Sequence, residues 1–398
     1  MRAPTCVATS WARAWRETVR RYGVRVVAPV GSARFSGVHL RDVVESVDVL
    51  AEPARLTTPG WWALVGEFEG RVRAWRFADA SVPPEPAVPS AVSRAVWEGP
   101  DRARWTSSMS RAQYLAAVRE VRARVRAGDV YQANLCRVLS APLGSLRDEP
   151  DALALADVLG AGNPAPFAGH VHVPHGQVGL DPVWVVTASP ELFLRLEDDV
   201  LTSSPIKGTA EVAAGLTAKD TAENVMITDL VRNDLQHVCR PATVEVTTLL
   251  GVEEHPGLVH LVSTVQGVLR PDVAAAGDLW AQVLDATYPP GSVSGAPKSS
   301  ALRVIAELEP VPRGPYCGLV GWLHVAQDGR TRAELAVGIR TFWWTADAAG
   351  VGLLHFGTGA GITWGSDPQG EWAETELKAA RLVALASGSP AGAPGLRD

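Results

Sequence analysis

Four helical signatures lie far apart along 398 residues, and long strand-like runs separate them. This spacing, more than any single motif, constrains what the chain folds into: a mixed structure rich in strands. Ser110 caps a helix over residues 111–127, with Tyr114, Val118, Val121 and Val125 on one face and Gly128 as its stop. Further helices are predicted near 217–235, 297–308 and 368–386. Thr217-Ala218-Lys219-Asp220 reads as a capping box, and Asp367-Pro368 as an N-cap followed by proline at N1. Residues 1–80 look mainly β. Trp62–Phe68 and Arg71–Phe77 flank Glu69-Gly70 as a hairpin would. Val130–Leu139 alternates as a strand with Gln132 and Asn134 on one face. Its plain reading is an edge strand wetting one side; the other is a polar cavity. Pro83, Pro84, Pro86 and Pro89 make residues 81–90 an extended connection. The Gly-, Pro- and Ala-rich tail from Ser387 is expected to be disordered.

Hydrophobic residues make up 46% of the chain, enough for a sizeable core. No apolar run reaches membrane-spanning length. The start, with Arg2, Trp11, Arg13, Trp15, Arg16, Arg20 and Arg21, has no signal-peptide core and reads as a first helix or an extended lead. No membrane association is expected, and the cytoplasm is the default location. Thirty-seven basic against 43 acidic residues give a net charge of −6, which argues against nucleic acid as a partner. A locally cationic site for an anionic substrate remains compatible with it. Cys6, Cys136, Cys239 and Cys317 form no Cys-x-x-Cys pair, so zinc and redox motifs are absent.

Several residues stand out for chemistry. Lys207, in Ser203-Ser204-Pro205-Ile206-Lys207-Gly208-Thr209, is bracketed by proline and glycine and sits in a punctuated loop. It reads as a nucleophile, an anion contact or plain surface charge. Glu191, after Ser189-Pro190, opens the strand leading to Lys207, and burial there would suit it to donate a proton. Asp220 and Glu223, and again Glu371 and Glu374, are spaced i, i+3 on two helices. Each pair alone reads as helix decoration: Asp220 in the capping box, Glu371 at a positive helix start, Glu374 paired with Lys378. If the pairs converge they need a cation, and oxygen-only ligands suit magnesium. Ser292-Val293-Ser294-Gly295-Ala296-Pro297-Lys298 is a turn entering a helix, a place where hydroxyls and free N–H groups hold anions. Gly357-Thr358-Gly359-Ala360-Gly361 reads as a loop that lets backbone approach a ligand. Arg340 ends an apolar stretch and would grip a carboxylate or a structural partner. His260 lies among apolar neighbours, where a hydrogen-bonded core histidine is the plain reading.

In order along residues 110–385, these segments resemble the chorismate-utilising enzymes, which include anthranilate synthase component I, aminodeoxychorismate synthase component I, isochorismate synthase and salicylate synthase. The motifs that carry the resemblance are Gly128-Asp129-Val130-Tyr131-Gln132-Ala133-Asn134-Leu135, Ser189-Pro190-Glu191, Pro205-Ile206-Lys207-Gly208-Thr209, Ala222-Glu223-Asn224-Val225-Met226 running into Asp229-Leu230-Val231-Arg232-Asn233-Asp234, His260-Leu261-Val262-Ser263, Ser294-Gly295-Ala296-Pro297-Lys298, Ile339-Arg340, Gly359-Ala360-Gly361 and Glu371-Trp372-Ala373-Glu374.

The resemblance implies an α/β (α+β) four-layer αββα sandwich of two mostly antiparallel sheets flanked by helices. Residues 1–95 would be a β-rich part of that fold, 96–386 the chorismate-binding catalytic region and 387–398 a tail. It implies an enzyme that binds chorismate, a dianion, with Mg²⁺ held by Glu223 and Glu374 and supported by Asp220 and Glu371. Arg340 and the backbone of Gly359, Ala360 and Gly361 would hold one carboxylate. Glu191 would protonate the departing C4 hydroxyl, while His260, Lys298 and Ser292 would shape the ring site. Water-adding relatives have a lysine where this chain has Gln132, and anthranilate synthases usually have a small residue where it has Lys207. The chain therefore looks most like the aminodeoxychorismate synthases, in which the lysine attacks C2 before ammonia adds at C4. At the reference pKa only about 0.04% of a lysine is neutral at pH 7, so that role needs a depressed pKa. Trp322, expected with Gln132 among the substrate-binding residues, stands where the family more often has tyrosine, a change that would alter substrate packing, and Pro289-Pro290-Gly291 stands where it has Pro-Gly-Gly. The Leu-Leu-Glu-Ser signature of tryptophan inhibition is absent from residues 1–100, so no such feedback is expected. No glutaminase part is recognisable, so ammonia would come from solution or from a separate glutamine amidotransferase subunit. The alternatives are anthranilate synthase component I and a catalytically inactive chorismate-binding subunit.

Overall fold

A computed structural model describes residues 30–82, 96–210, 212–255 and 258–388. The Arg- and Trp-bearing start, most of the proline-rich connection and nearly all of the tail lie outside the described residues. The hairpin forms as its sequence asks: β3 (Gly60–Gly66) pairs antiparallel with β4 (Val72–Ser81), turning through Gly70 at φ +106°. Only glycine adopts that backbone without strain. Trp62 and Trp75 are fully buried, on opposite faces of the hairpin. Burying a ring of this size contributes on the order of 4–6 kcal/mol.

Eighteen strands form among the described residues, and every pairing between them is antiparallel. One half runs from β6 (Gln132–Ser145) through β18 (Val351–Ile362), β17 (Thr341–Ala346) and β8 (Val183–Ser189) to β7 (Phe167–Val173). The other runs from the hairpin through β15 (Leu319–Val325), β16 (Thr331–Val337), β9 (Leu192–Glu197) and β10 (Val200–Ser204) to β13 (Leu258–Val268) and β12 (Glu245–His255). β11 (Ile206–Ala210) also lies against β13. The two expected sheets are the halves of one continuous network. The four-residue β1 (Ser32–Phe35) joins them by pairing with β7 on one side and β2 (Val38–Asp48) on the other, and β2 continues into β4.

The inner faces meet in one large core. Val138, Val171 and Val185 of the first half pack in the same cluster as Leu64, Leu319 and Leu335 of the second. Helices cover the outside. On the first half, α2 (Ala152–Gly162) and α6 (Pro368–Ala386) bury Leu155, Leu159, Leu382 and Val383 with Trp184, Phe342 and Leu354. On the second, α3 (Ala218–Gln236) contributes Ile227, Val231 and Leu235 to the large core, as α4 (Leu279–Thr287) does Val283 and Leu284. α1 (Arg111–Ala127) and α5 (Lys298–Leu308) pack Tyr114, Val118 and Val304 around Leu135. No helix among the described residues is long and apolar enough to cross a membrane.

Two local readings change. β6 is not an edge: β18 flanks it on one side, and two short strands, β5 (Thr106–Ser107) and β14 (Gly295–Ala296), flank it on the other. Gln132 is accordingly fully buried. Gly357–Gly361 is not a loop but part of β18. The glycines are there for clearance. A Cβ at Gly357 would lie 2.0 Å from the Tyr316 ring, and one at Gly361 would lie 2.2 Å from Gln132 Nε2.

Candidate active site

Glu191 and Lys207 come within electrostatic reach of each other because β9, β10 and β11 are short and closely connected. Glu191 sits in the bend between β8 and β9 and is buried. Its amide donates to Ser189 Oγ at 3.2 Å, and its carbonyl accepts from the Val337 amide at 3.0 Å. Burial pushes the carboxyl up to about 7, although hydrogen bonds from Ser292 and the Ile206 amide and the charge of Lys207 act in the other direction. A group poised there exchanges protons at neutral pH. Glu191 also walls an interior cavity of ≈10 Å³, room for about one water and far too small for a ring substrate.

Lys207 lies on β11, beside the start of α3. Gly208 makes that approach possible: its φ is +90°, and a Cβ there would lie 2.8 Å from Asp220 Cβ. Among the described residues Lys207 makes no hydrogen bond or close ion pair. Burial lowers its pKa and Lys378 adds to that, while Glu223, Glu191 and Glu374 pull it back up. Those interactions place the lysine within electrostatic reach of residues from α3, α6 and the β8–β9 bend together.

The two acid pairs do converge, but their members differ. Glu371 of α6 is buried, and its Oε2 has no hydrogen-bond partner; Glu223 Oε1 of α3 is likewise buried without a hydrogen bond. Burial raises the pKa of Glu223, and Glu371 and Asp220 reinforce this. Lys219 Nζ stands between the two, 3.5 Å from Glu371 Oε1 and 3.7 Å from Glu223 Oε1. Burial opposes the charge on Lys219, but Glu371 and Glu223 hold its pKa up. Glu374, half exposed, pairs with Lys378 at 2.6 Å, and Lys378 also donates to the Gly359 carbonyl at 3.1 Å. No three His, Cys, Asp or Glu side chains among the described residues form a ready ligand group. Magnesium asks for less, one or two carboxylates with water and a substrate anion. Two orphaned carboxylate oxygens from different helices fit that requirement.

Asp220 is the first correction. Its Oδ2 accepts from the Thr217 amide and hydroxyl at 2.8 and 2.6 Å, closing the capping box, so that oxygen serves the helix end. Lys298 is the second. Its ammonium donates to Asp234 Oδ2 at 2.7 Å and to the Thr287 carbonyl at 2.8 Å. A carboxylate as buried as Asp234 needs that partner. Trp322 is the third. It lies in β15 opposite Ala63 and Glu334, with its ring 5.3 Å from Trp61, and nothing brings it to Lys207. Alternation along β15 put it on the other face, which a motif position does not reveal.

Other residues gather where expected. Ser292 is buried and bonds Glu191. Gln132 Nε2 donates to Asn134 Oδ1 at 3.3 Å, and its Oε1 is buried without a partner beside Gly361. His260 is buried on β13 opposite Thr209, two residues from Lys207. Arg340 holds a left-handed backbone at φ +51°, and its carbonyl accepts from Ala188, three residues before Glu191. Burial alone lowers its pKa, and among the described residues its guanidinium has no partner. A guanidinium with no partner of its own is free to take a carboxylate bidentately. Lys219 was not singled out, because an i, i+4 lysine and glutamate read as helix-surface decoration.

A second cavity, ≈650 Å³, opens between the β3–β4 turn and helices α4 and α5. Its walls are largely apolar, with Phe68, Leu284, Tyr288, Leu302 and Ile305. It is larger, but it holds neither Lys207, Glu191 nor Arg340, so the chemistry points away from it.

Residues 90–384 match the chorismate binding enzyme family. Anthranilate synthase component 1 of Thermus thermophilus is 38% identical over 303 residues, 73% of this chain and 60% of that protein. Aminodeoxychorismate synthase component 1 of Salmonella typhimurium is 35% identical over 292 residues, 70% of this chain and 58% of that protein. The chain thus spans about 60% of the length of these relatives. Among solved structures, a 2,3-dihydroxybenzoate-specific isochorismate synthase, DhbC, from Bacillus anthracis superposes with a TM-score of 0.68 at 19% identity, covering 90% of this chain and 96% of that one. Anthranilate synthase component I from Streptococcus pneumoniae gives 0.67 at 23%, covering 90% and 91%. Both share the fold.

Proposed function

The chain belongs to the chorismate binding enzyme family, and from that premise we propose that it converts chorismate and ammonia to 4-amino-4-deoxychorismate. One observation carries the reading: Lys207, part-buried, lies within electrostatic reach of Glu191, its pKa lowered by burial while that of Glu191 is raised to about 7. A nucleophilic lysine must be neutral and a general acid must be protonated, and both shifts run in that direction.

The steps follow from those two groups. The neutral Lys207 amine attacks C2 of chorismate, both ring double bonds shift (C1=C2 to C1=C6 and C5=C6 to C4=C5), and the C4–O bond breaks. Glu191 delivers its proton to the departing hydroxyl, which leaves as water. Ammonia then forms a bond at C4, both double bonds shift back, the C2–N bond breaks to release Lys207 as the neutral amine, and the new C4 ammonium returns a proton to Glu191. Net, one ammonia enters and one water leaves. Arg340 would hold one substrate carboxylate. Glu223 and Glu371 would hold a magnesium ion together with water, which when bound would neutralise the second carboxylate. The buried Gln132, in place of a lysine base, disfavours water as the nucleophile. The ammonia is proposed to come from a separate glutamine amidotransferase, as the component 1 names of the relatives suggest.

The anthranilate synthase reading is kept because relatives of both names match at similar identity. Purified protein with chorismate, Mg²⁺ and ammonium, coupled to a lyase that makes 4-aminobenzoate, separates the two. 4-Aminobenzoate is the expected product; fluorescent anthranilate in its place refutes the proposal. Lys207→Ala should lose amination at C4 by at least about 10²-fold while divalent-cation binding survives. Wild-type turnover in that variant would remove the lysine from the mechanism.

A further inference from the structure

We infer that Lys219 is the resident counter-cation of Glu223 and Glu371 and competes with a divalent cation for them. The inference rests on the reading of those two carboxylates as a metal site.

Lys219 occupies the second position of α3, right after its cap. A cation is disfavoured there by the helix dipole, and lysine preceding glutamate by four is the poorer order for an ion pair. Local helix energetics therefore do not explain this lysine. Its surroundings do: without a cation, Glu223 and Glu371 would face each other as like charges in a buried place. Yet the fit is loose. At 3.5 and 3.7 Å the ammonium is farther than a well-formed charged hydrogen bond: it holds Glu223 Oε1 only as a loose ion pair and leaves Glu371 Oε2 with no partner. A hard divalent cation reaches carboxylate oxygens at about 2.0–2.1 Å. It cannot share that space with an ammonium, because the two repel. Lys219 can yield, since its side chain is 49% exposed and swings into water on a flexible stem. Lys378, tied to Glu374 and the Gly359 carbonyl, is not free in the same way. Metal arrival and Lys219 departure are thus one exchange. The lysine keeps the two helices together between turnovers and sets how much cation the site demands.

Manganese binding to the full chain without chorismate, followed by the EPR signal of free Mn²⁺, tests this. Lys219→Met and Lys219→Gln should each bind Mn²⁺ about tenfold tighter than wild type. That figure corresponds to a lysine in place in roughly nine molecules of ten. Lys219→Arg should stay near wild type. Metal-free Lys219→Met should also melt lower than wild type, with Mn²⁺ closing the difference. Equal or weaker Mn²⁺ binding in both uncharged variants overturns the inference. Glu371→Gln separates the two levels. If it weakens Mn²⁺ binding while the Lys219 variants do not tighten it, the metal site stands and only the competition fails. If Mn²⁺ binding ignores Glu371→Gln, the metal site fails and the inference with it.

Discussion

Glu191 keeps its proton to about pH 7 because its surroundings make the charged form costly, and that cost falls on the fold as well as serving the chemistry. Its folded pKa lies above the unfolded value near 4.5. Stability is therefore full below the unfolded pKa and is lost as pH rises through about 7. Glu191→Gln should match the wild type near pH 4 and exceed it above pH 8, by on the order of 3 kcal/mol. Urea unfolding of both proteins at several pH values reads this directly, and a constant difference would contradict it. The same variant should lose at least about 10²-fold in turnover, so stability and activity move apart. Lys207 stood out in the sequence because Pro205 and Gly208 bracket it, and Glu191 because it follows Pro190 at the start of a strand. Lys298 and Trp322 were misread because sequence position says nothing about which partner or face a side chain meets. Lys219 left no signal, since its meaning lies in Glu371, 152 residues away.

Caps were the most legible elements. Ser110 with Gln113, Thr217 with Asp220, and Asp367 before Pro368 all bond as local chemistry dictates. α2 was not legible, because Ala152–Gly162 carries apolar residues all round and shows no period. β6 could not be assigned to the sheet interior from its own alternation, since its neighbours come from far along the chain. Between elements, one residue does most to hold α6 against the sheet. Arg137 of β6 donates to Thr375 Oγ1 at 3.1 Å and Ser107 Oγ at 3.2 Å, pairs with Glu376, and lies 4.1 Å from the centre of the Trp372 ring. Trp372 sits between Glu371 and Glu374 on that helix. Arg137→Met should destabilise the protein by about 3 kcal/mol, and Arg137→Lys should recover less than half, because the fork of donors is lost. Chemical denaturation measures both; full rescue by lysine would show that charge alone is at work.

At the scale of the molecule, the N-terminal strands are not an attachment. β3 pairs with β15 along its whole length, and β1 closes against β7. The described residues should unfold as one unit, with tryptophan fluorescence and far-ultraviolet circular dichroism giving superimposable urea transitions. Two separated transitions would mean that residues 30–82 fold independently of the rest. The family resemblance carried the sandwich, but no motif lies in β1, so its joining role was invisible beforehand. That role narrows what β1 tolerates. Ala33 and Phe35 point into the core while Ser32 and Arg34 point away. Loops elsewhere absorb an extra residue with little consequence. One inserted here would turn both core side chains outward and shift the pairing with β7 and β2 together. Insertions and deletions should be filtered out of these four positions more strictly than from any loop at the site, so a four-residue joint sets the limit on how the sheet's length can drift.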